Sequence, residues 1–537
     1  MRRSHLLILI GLVALLSSSA AAFAQRAASE IDRLVIALPP VATETNRIWA
    51  GSWVMHTQFE PMLETLIGND PETGNAIPRL AERWEPNADF TEWTFHLRRG
   101  VPFHFGYGEF TAADVKHTYE LLAREDSRVN MAGVWRDRIA DVVIVDDYTV
   151  TFRFHQPYID GERLFSRTGG EMYITSKAQW DQGGIEAIDQ RIVGTGVYRF
   201  KERTEGVNLI VEAVDDHWRD VAPFREIELR WVPDETTRLA QLLTGEVHAA
   251  ALGRDVSASA ATQGMVVIPS RRENMQRFVP FGGLYFNSGP PEIREGNPLL
   301  DRRVRQALIK AVDIGAIQEE LYHGRVTPAY RTGWVPQHEG WNPEWAERFD
   351  EMYGYDPVRA RELLQEAGYG PGQLTVTINL YEHPGQPESP YVLESLQPFW
   401  EAVGVVANVR PVEFGTFLSR WFEDQGVHGE VWITRNTPLR TTQEFIEFWH
   451  TAAANGKLYL SDFIEERIVD LRFAVDPDER DAIAREIGDY LFEEFVLIPL
   501  GATHVEIVVD PDAIADWVWP GQAPTNWTHF YMIQPAR

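Results

Sequence analysis

The sequence predicts a mixed α/β protein divided into two or three domains, and three observations lead there. Trp93, Phe95 and Leu97 alternate with Thr94, His96 and Arg98, the period-two pattern of a strand with one buried face. Apolar residues at Val115, Tyr119 and Leu122, and again at Leu300, Val304, Ala307, Leu308, Ala311 and Val312, follow the spacing of amphipathic helices. The chain has 537 residues, more than a single hydrophobic core usually organises.

Arg2 and Arg3 precede an apolar run from Leu6 to Leu16 and the small-residue end Ala22-Phe23-Ala24. This is the pattern of a secretory signal over 1–24, cut before Gln25, and the run is too short for a permanent membrane span. The chain has no cysteine, so the fold needs no disulfide and no lipid-accepting cysteine follows the signal. A freely diffusing periplasmic protein is the expectation. A formal charge of −29 excludes nucleic acid and anionic lipid as natural partners, and reads first as solubility. Eighteen tryptophans are mostly core, with a few available as flat platforms for a ligand.

Along the chain, Leu34 to Leu38 is an apolar run suited to a buried strand, ended by Pro39-Pro40. Trp49 and Trp53, four residues apart, would share one face of a helix and favour the core. After Gly100, Val101, Phe103 and Phe105 predict a second short strand. Thr111 is a hydroxyl N-cap with Asp114 three residues on. Val142 to Val145, the turn Asp146-Asp147 and the alternating Tyr148, Val150, Phe152 and Phe154 predict a hairpin. Asp301 caps the next helix, whose Arg302, Arg303 and Lys310 fall off the apolar stripe, the arginines reading as a solvated face. Asp356 caps another, with Pro357 at its first position and Gly368 at its end. Leu374 to Leu380 alternates as a strand, and the segment from Val431 to Pro438 reads as a loop.

The order of residues adds more than periodicity. Leu80, Ala81, Glu82, Trp84, Phe95, Leu97, Arg98, Gly100, Val101, Phe103, His104, Phe110, Thr111, Ala112, Asp114 and Val115 closely resemble the signature of the family 5 periplasmic solute-binding proteins. These are the dipeptide, oligopeptide and nickel receptors of ABC importers. Further resemblances are Phe59-Glu60-Pro61-Met62-Leu63, Val193 to Tyr198 with Val197 in place of proline, and Asp234 to Leu239. Gly245-Glu246-Val247 is similar too, with His248 where the family has aspartate, as are the blocks Asn297 to Asp313 and Tyr355 to Tyr369.

The resemblance implies a type II-like periplasmic binding protein of cluster C: two hinged lobes plus an extra α/β domain. Its expected division is lobe I at 29–66, 194–284 and 504–537, the extra domain II at 67–193, and lobe III at 285–503. It further implies a monomer that binds a small molecule between the lobes and docks on permease subunits, with no cofactor, no metal and no catalysis. Absence of a phosphate-cradling Gly-x-x-x-x-Gly-Lys-Ser/Thr loop fits an ATPase on a different chain.

Ligand contacts are expected from the loop after the first strand, at Asn46, Arg47 and Trp49, and from the later segments, at Tyr381, His383, Phe414, Trp432, Arg435 and Asn436. In peptide-binding members, an aspartate three residues after this tryptophan pairs with the peptide ammonium. Here that position is Arg435. A guanidinium repels an ammonium and receives a carboxylate or hydroxyls through its planar fork. The expected cargo is therefore a sugar acid, an opine-like conjugate or an oligosaccharide rather than a plain peptide; a correspondence shifted by one or two residues, or Arg435 facing outward, is the alternative. The rival readings are a secreted carbohydrate hydrolase with paired carboxylates, a carrier of a metal chelate, and a sensor that reports to a chemoreceptor. No Gly-x-Ser-x-Gly elbow or His-Glu-x-x-His site occurs, and the fifteen histidines are scattered.

Overall fold

The computed structural model describes residues 31–41, 43–51, 55–129, 131–273, 275–285, 296–383, 386, 388–422, 427–436, 441–452, 458–521 and 526–536. The expected signal segment, Trp53, Phe286, Asn287 and Pro384 lie outside them. The hydrophobic residues gather into two large cores. One runs from Leu34 to Ile268 and takes up Val505 to Ile533; the other runs from Phe278 to Leu500. We call the parts of the chain around them the first and second bodies.

The first body is built on a sheet of seven strands among the described residues. Their order is Val266–Pro269, Glu506–Val509, Ala249–Ala250, Arg33–Leu38, Glu226–Trp231, Asn208–Ala213 and Tyr198–Thr204. Arg33–Leu38 sits centrally and pairs in parallel with Glu226–Trp231, Leu34 opposite Ile227 and Ile36 opposite Leu229. That position explains its unbroken apolar run, since a strand covered on both faces has no polar side. His248, the departure from the family pattern, is structural: its Nδ1 accepts from the Val35 N–H at 2.9 Å.

A four-stranded antiparallel sheet, ordered Ala81–Pro86, Glu92–Leu97, Thr149–Phe154 and Ile139–Asp146, belongs to the same core. The helix Ala112–Leu122 packs on it, opened by a full capping box between Thr111 and Asp114. Phe95, Phe152 and Phe165 meet at ring distances of 4.5 to 5.9 Å. Burial of each such ring contributes about 1.5–3 kcal/mol. The strand expected at Val101 to Phe105 does not form. A single bridge joins Pro102 to Glu109, and His104–Gly106 make a 3-10 turn in which Phe105 has φ 60°. Gly194 and Gly196 run so close to the turn at Pro61 and Met62 that a Cβ would lie 2.2 Å from Met62 O and 2.5 Å from Pro61 O. Only glycine fits there.

In the second body, Val406–Pro411, Thr375–Leu380 and Glu430–Val431 form a parallel sheet, and Thr434–Asn436, Met275–Pro280 and Leu497–Thr503 an antiparallel one. The segment expected as a loop therefore contains a strand. Helices Arg302–Lys310 and Pro357–Glu366 are capped by Asp301 and Asp356 as expected. Arg302 and Arg303 are exposed, but Lys310 is buried. Its ammonium donates to Glu351 O at 2.8 Å, because the C-terminal carbonyls of the helix Glu344–Tyr353 come down onto it.

The chain passes between the bodies at Pro269 to Met275 and again at Thr503 to Glu506. The passages run side by side. Ser270 N–H donates to Val505 O at 2.7 Å, and Val505 N–H donates to Ser270 Oγ at 3.1 Å. Among the described residues, no helix is long and apolar enough to cross a membrane.

Candidate functional site

The strand Met275–Pro280 lies at the junction, flanked on both sides and continuous with one passage. Its register with Thr434–Asn436 sets Gln276 opposite Asn436 and Arg277 opposite Arg435. Residues directly opposite in an antiparallel pair point to the same face. Asn436 accordingly donates to Gln276 Oε1 at 3.3 Å, and Gln276 also receives the Gly333 N–H at 2.8 Å.

On the other face, two guanidinium side chains stand as cross-strand neighbours, an arrangement that is unfavourable without a nearby anion. Arg277 is 4% exposed. Its Nε donates to Thr503 Oγ1 at 3.3 Å, its Nη2 lies 3.1 Å from Glu388 Oε1, and its guanidinium rests 6.0 Å over the Tyr322 ring. Nη1 of Arg277 and the hydroxyl of Tyr322 are buried without a hydrogen-bond partner among the described residues. Arg435 is half-buried beside them.

The first body approaches this junction with Arg254, from the helix Arg254–Thr262. Arg254 pairs with Glu506 at 2.7 Å and donates to His504 O at 2.8 Å, while Arg325 of the second body reaches the same Glu506 at 3.6 Å. Burial pushes the Arg254 guanidinium down from its ordinary value, and Glu506 opposes that shift. On the passages themselves, His504 lies 3.6 Å from Glu273. Burial works against a charged His504, but Glu273 and the Ser270 carbonyl outweigh it and raise its pKa; Glu273 is held down to about 2, chiefly by His504.

The remaining sequence-predicted residues fall into two groups. Tyr381, His383 and Phe414 come together: the Tyr381 ring lies 5.4 Å from Phe414 and 4.8 Å from Phe417, and His383 lies 5.1 Å from Phe414. Phe417 leads on to Trp432 at 5.8 Å, Trp432 to Trp421 at 5.7 Å, and Trp421 to Trp449 at 5.8 Å. Tyr381 O–H donates to Ile433 O at 2.6 Å, which ties this aromatic run to the strand that carries Arg435. The indole N–H groups of Trp432 and Trp449 are buried without partners among the described residues.

Asn46, Arg47 and Trp49 form a separate group on the first body, in a turn rather than the expected helix. Arg47 holds Asp189 in a bidentate pair at 2.7 and 2.6 Å. Asn46 donates to Asp189 O at 3.1 Å and accepts from Arg203 at 2.8 Å. Trp49 is buried, 6.3 Å from Trp180.

Two features escaped the sequence. Arg277 sits in the strand Met275–Pro280, whose sequence does not alternate apolar with polar residues. Arg331, 3% exposed, stacks 4.7 Å over Trp334 with one bond to Thr332 O, and burial pushes it down to about 10. A cavity of about 50 Å3 lies elsewhere in the first body, lined by Glu60, Glu64, Arg79, Arg167, Tyr173 and His529 among others. Burial, against the charge of Arg167, raises Glu60 to about 7. Its acids and bases face one another, and its size suits a few bound waters. Among the described residues, no group of three or more histidines and carboxylates is arranged to hold a metal ion.

Two α/β bodies joined by paired passages, with buried charge at the junction, have the architecture of a solute-binding receptor. The chain belongs to the bacterial extracellular solute-binding proteins, family 5, whose sequence model matches residues 75–438. It is 24% identical over 524 residues to the glutathione-binding protein GsiB of Salmonella paratyphi A, covering 94% of this chain and 95% of that protein. Among solved structures, HbpA2 from Haemophilus parasuis superposes with a TM-score of 0.76 at 21% identity, over 94% of this chain and all (100%) of that one. AgaA from A. tumefaciens R10, in complex with agropinic acid, gives 0.68 at 18% identity, over 94% and 98%. These structures share the fold described above.

Proposed function

We propose that this protein is the periplasmic receptor of an ABC importer, and that its cargo is a small solute bearing a carboxylate or many hydroxyls. Arg435 receives the cargo, with Arg277 alongside. The single observation behind this is the register that sets those two arginines on one face at the junction. Glutathione and agropinic acid, named with relatives of the chain, are both acids and fit the same chemistry.

The mechanism follows from the two passages. Domain II and lobe I apart from its residues 275–284 move as the first body, and those residues move with lobe III as the second; cargo that touches both shifts the population toward the closed form. The closed form docks on the permease and releases the cargo unchanged, with no bond broken. Export by the N-terminal signal delivers the receptor to the periplasm.

Calorimetric titration with glutathione, agropinic acid and unmodified dipeptides tests the cargo class. The acids are expected to bind. Arg435→Ala should weaken their binding about 10- to 100-fold, the worth of one charge-assisted contact. Tight binding of plain dipeptides, unaffected by that substitution, would overturn the assignment of Arg435.

A further inference from the structure

The two bodies also touch where no strand joins them. Residues 158–163 of the first body meet the start of the helix Thr442–His450 in the second. Trp93 fixes this part of the first body: its indole donates to Tyr158 O at 2.8 Å and fills the space beside Gly161, where a Cβ would lie 2.3 Å from the ring. Across the contact, Thr441 Oγ1 donates to Asp160 Oδ2 at 3.4 Å, and Arg163 pairs with Glu444. Thr441 and Glu444 also form the capping box of that helix. Arg480 holds Glu339 with two bonds of 2.9 Å and Gln443 at 3.2 Å. Arg472 holds Glu447 at 2.6 Å.

The charges do not balance. Asp160, Glu339 and Glu444 converge on Arg163 and Arg480, three carboxylates to two guanidiniums, while Glu447 is matched by Arg472. Tyr158, ionisable too, is kept neutral by burial and by Glu444 and Asp160. Among the described residues the contact therefore has one carboxylate more than it has guanidiniums, in a place largely shielded from water.

We propose that this contact is a clasp holding the bodies together, and that it fastens only when Asp160 carries a proton. The clasp rests on the hinged-receptor function proposed above. Burial, then Glu444 and Glu339, raise Asp160 to about 7 against the pull of Arg480 and Arg163. Exposed to water in an open form, the same carboxyl returns to about 3.9. Closure thus takes up a proton, is favoured as pH falls from about 7 to about 4, and loses that advantage as pH rises through about 7.

The chain lacks cysteine, so thiols introduced by Val145→Cys and Phe473→Cys, at positions 61% and 57% exposed on the two bodies, can be spin-labelled cleanly. Pulsed electron resonance on the cargo-free protein then reads the separation. The ratio of short to long distances should fall about tenfold per pH unit between pH 5 and 7 and level off above. Asp160→Asn should remove that dependence and leave more of the short distance at pH 8 than the parent has. Glu444→Gln, which keeps the helix cap, should flatten the titration as well. A ratio constant from pH 5 to 8, or one that titrates unchanged in both variants, overturns the clasp while leaving the receptor. One fixed distance at every pH, with or without glutathione and agropinic acid, overturns the receptor function on which it rests.

Discussion

The two bodies meet in two chemically opposite ways. At the passages, Glu506 is shared by Arg254 and Arg325, and Glu273 is matched by His504. At the other contact, among the described residues, carboxylates outnumber the guanidiniums around them. At the passages guanidiniums outnumber the carboxylate they share, and neither partner needs a proton to pair, whereas a surplus of acid makes the second contact depend on a proton. Burial raises the stakes in both cases, since a charge removed from water relies on what faces it.

The largest test of the passage junction is Glu506→Gln. It leaves Arg254 and Arg325 facing each other with no acid between them, in a place where Glu506 is 8% exposed. Urea unfolding should show a loss of about 3 kcal/mol, the usual cost of stranding a buried charge. A loss below 1 kcal/mol would show that the junction is wetter than its burial implies.

Arg331→Met should move stability the other way. Its guanidinium has no carboxylate partner among the described residues and stacks on Trp334. An apolar chain of similar length should be neutral or stabilising by about 1 kcal/mol, read as an unchanged or raised melting temperature.

The smallest effect belongs to His504→Gln. In the folded protein the His504 pKa is raised and the Glu273 pKa is lowered. The histidine contributes stability fully below its unfolded value of about 6.5 and loses it as pH rises through its folded value; the glutamate contributes above about 4.3 and loses it as pH falls toward 2. Both contributions are therefore present between about pH 4.3 and 6.5. With Glu273 42% exposed, solvent limits the pair to about 1 kcal/mol or less. The variant should lose that pH-dependent increment and little else.

Much of the scaffold was legible because its signals are local. The capping box at Thr111 and Asp114, the hairpin at Ile139–Asp146 and Thr149–Phe154, and the caps Asp301 and Asp356 each show within a few residues. Phe105 misled because alternation carries no record of backbone sign, and the turn at φ 60° interrupts the pleat. Lys310 misled because helical spacing does not reveal which neighbour covers the polar side. The strand at Thr434–Asn436 is defined by its pairing with Met275–Pro280, far away in sequence. The same distance hid the Arg277–Arg435 register. Asp160 and Thr441, 281 residues apart, carry no mutual signal at all.

The twin passages through Ser270 and Val505 have a mechanical consequence. A lone tether would let the halves swivel freely, whereas two strands bonded side by side resist torsion about their common axis and still permit bending across it. Opening and shutting then resemble a door on its frame, with one dominant coordinate, so a gain in grip anywhere between the halves is felt along that single path.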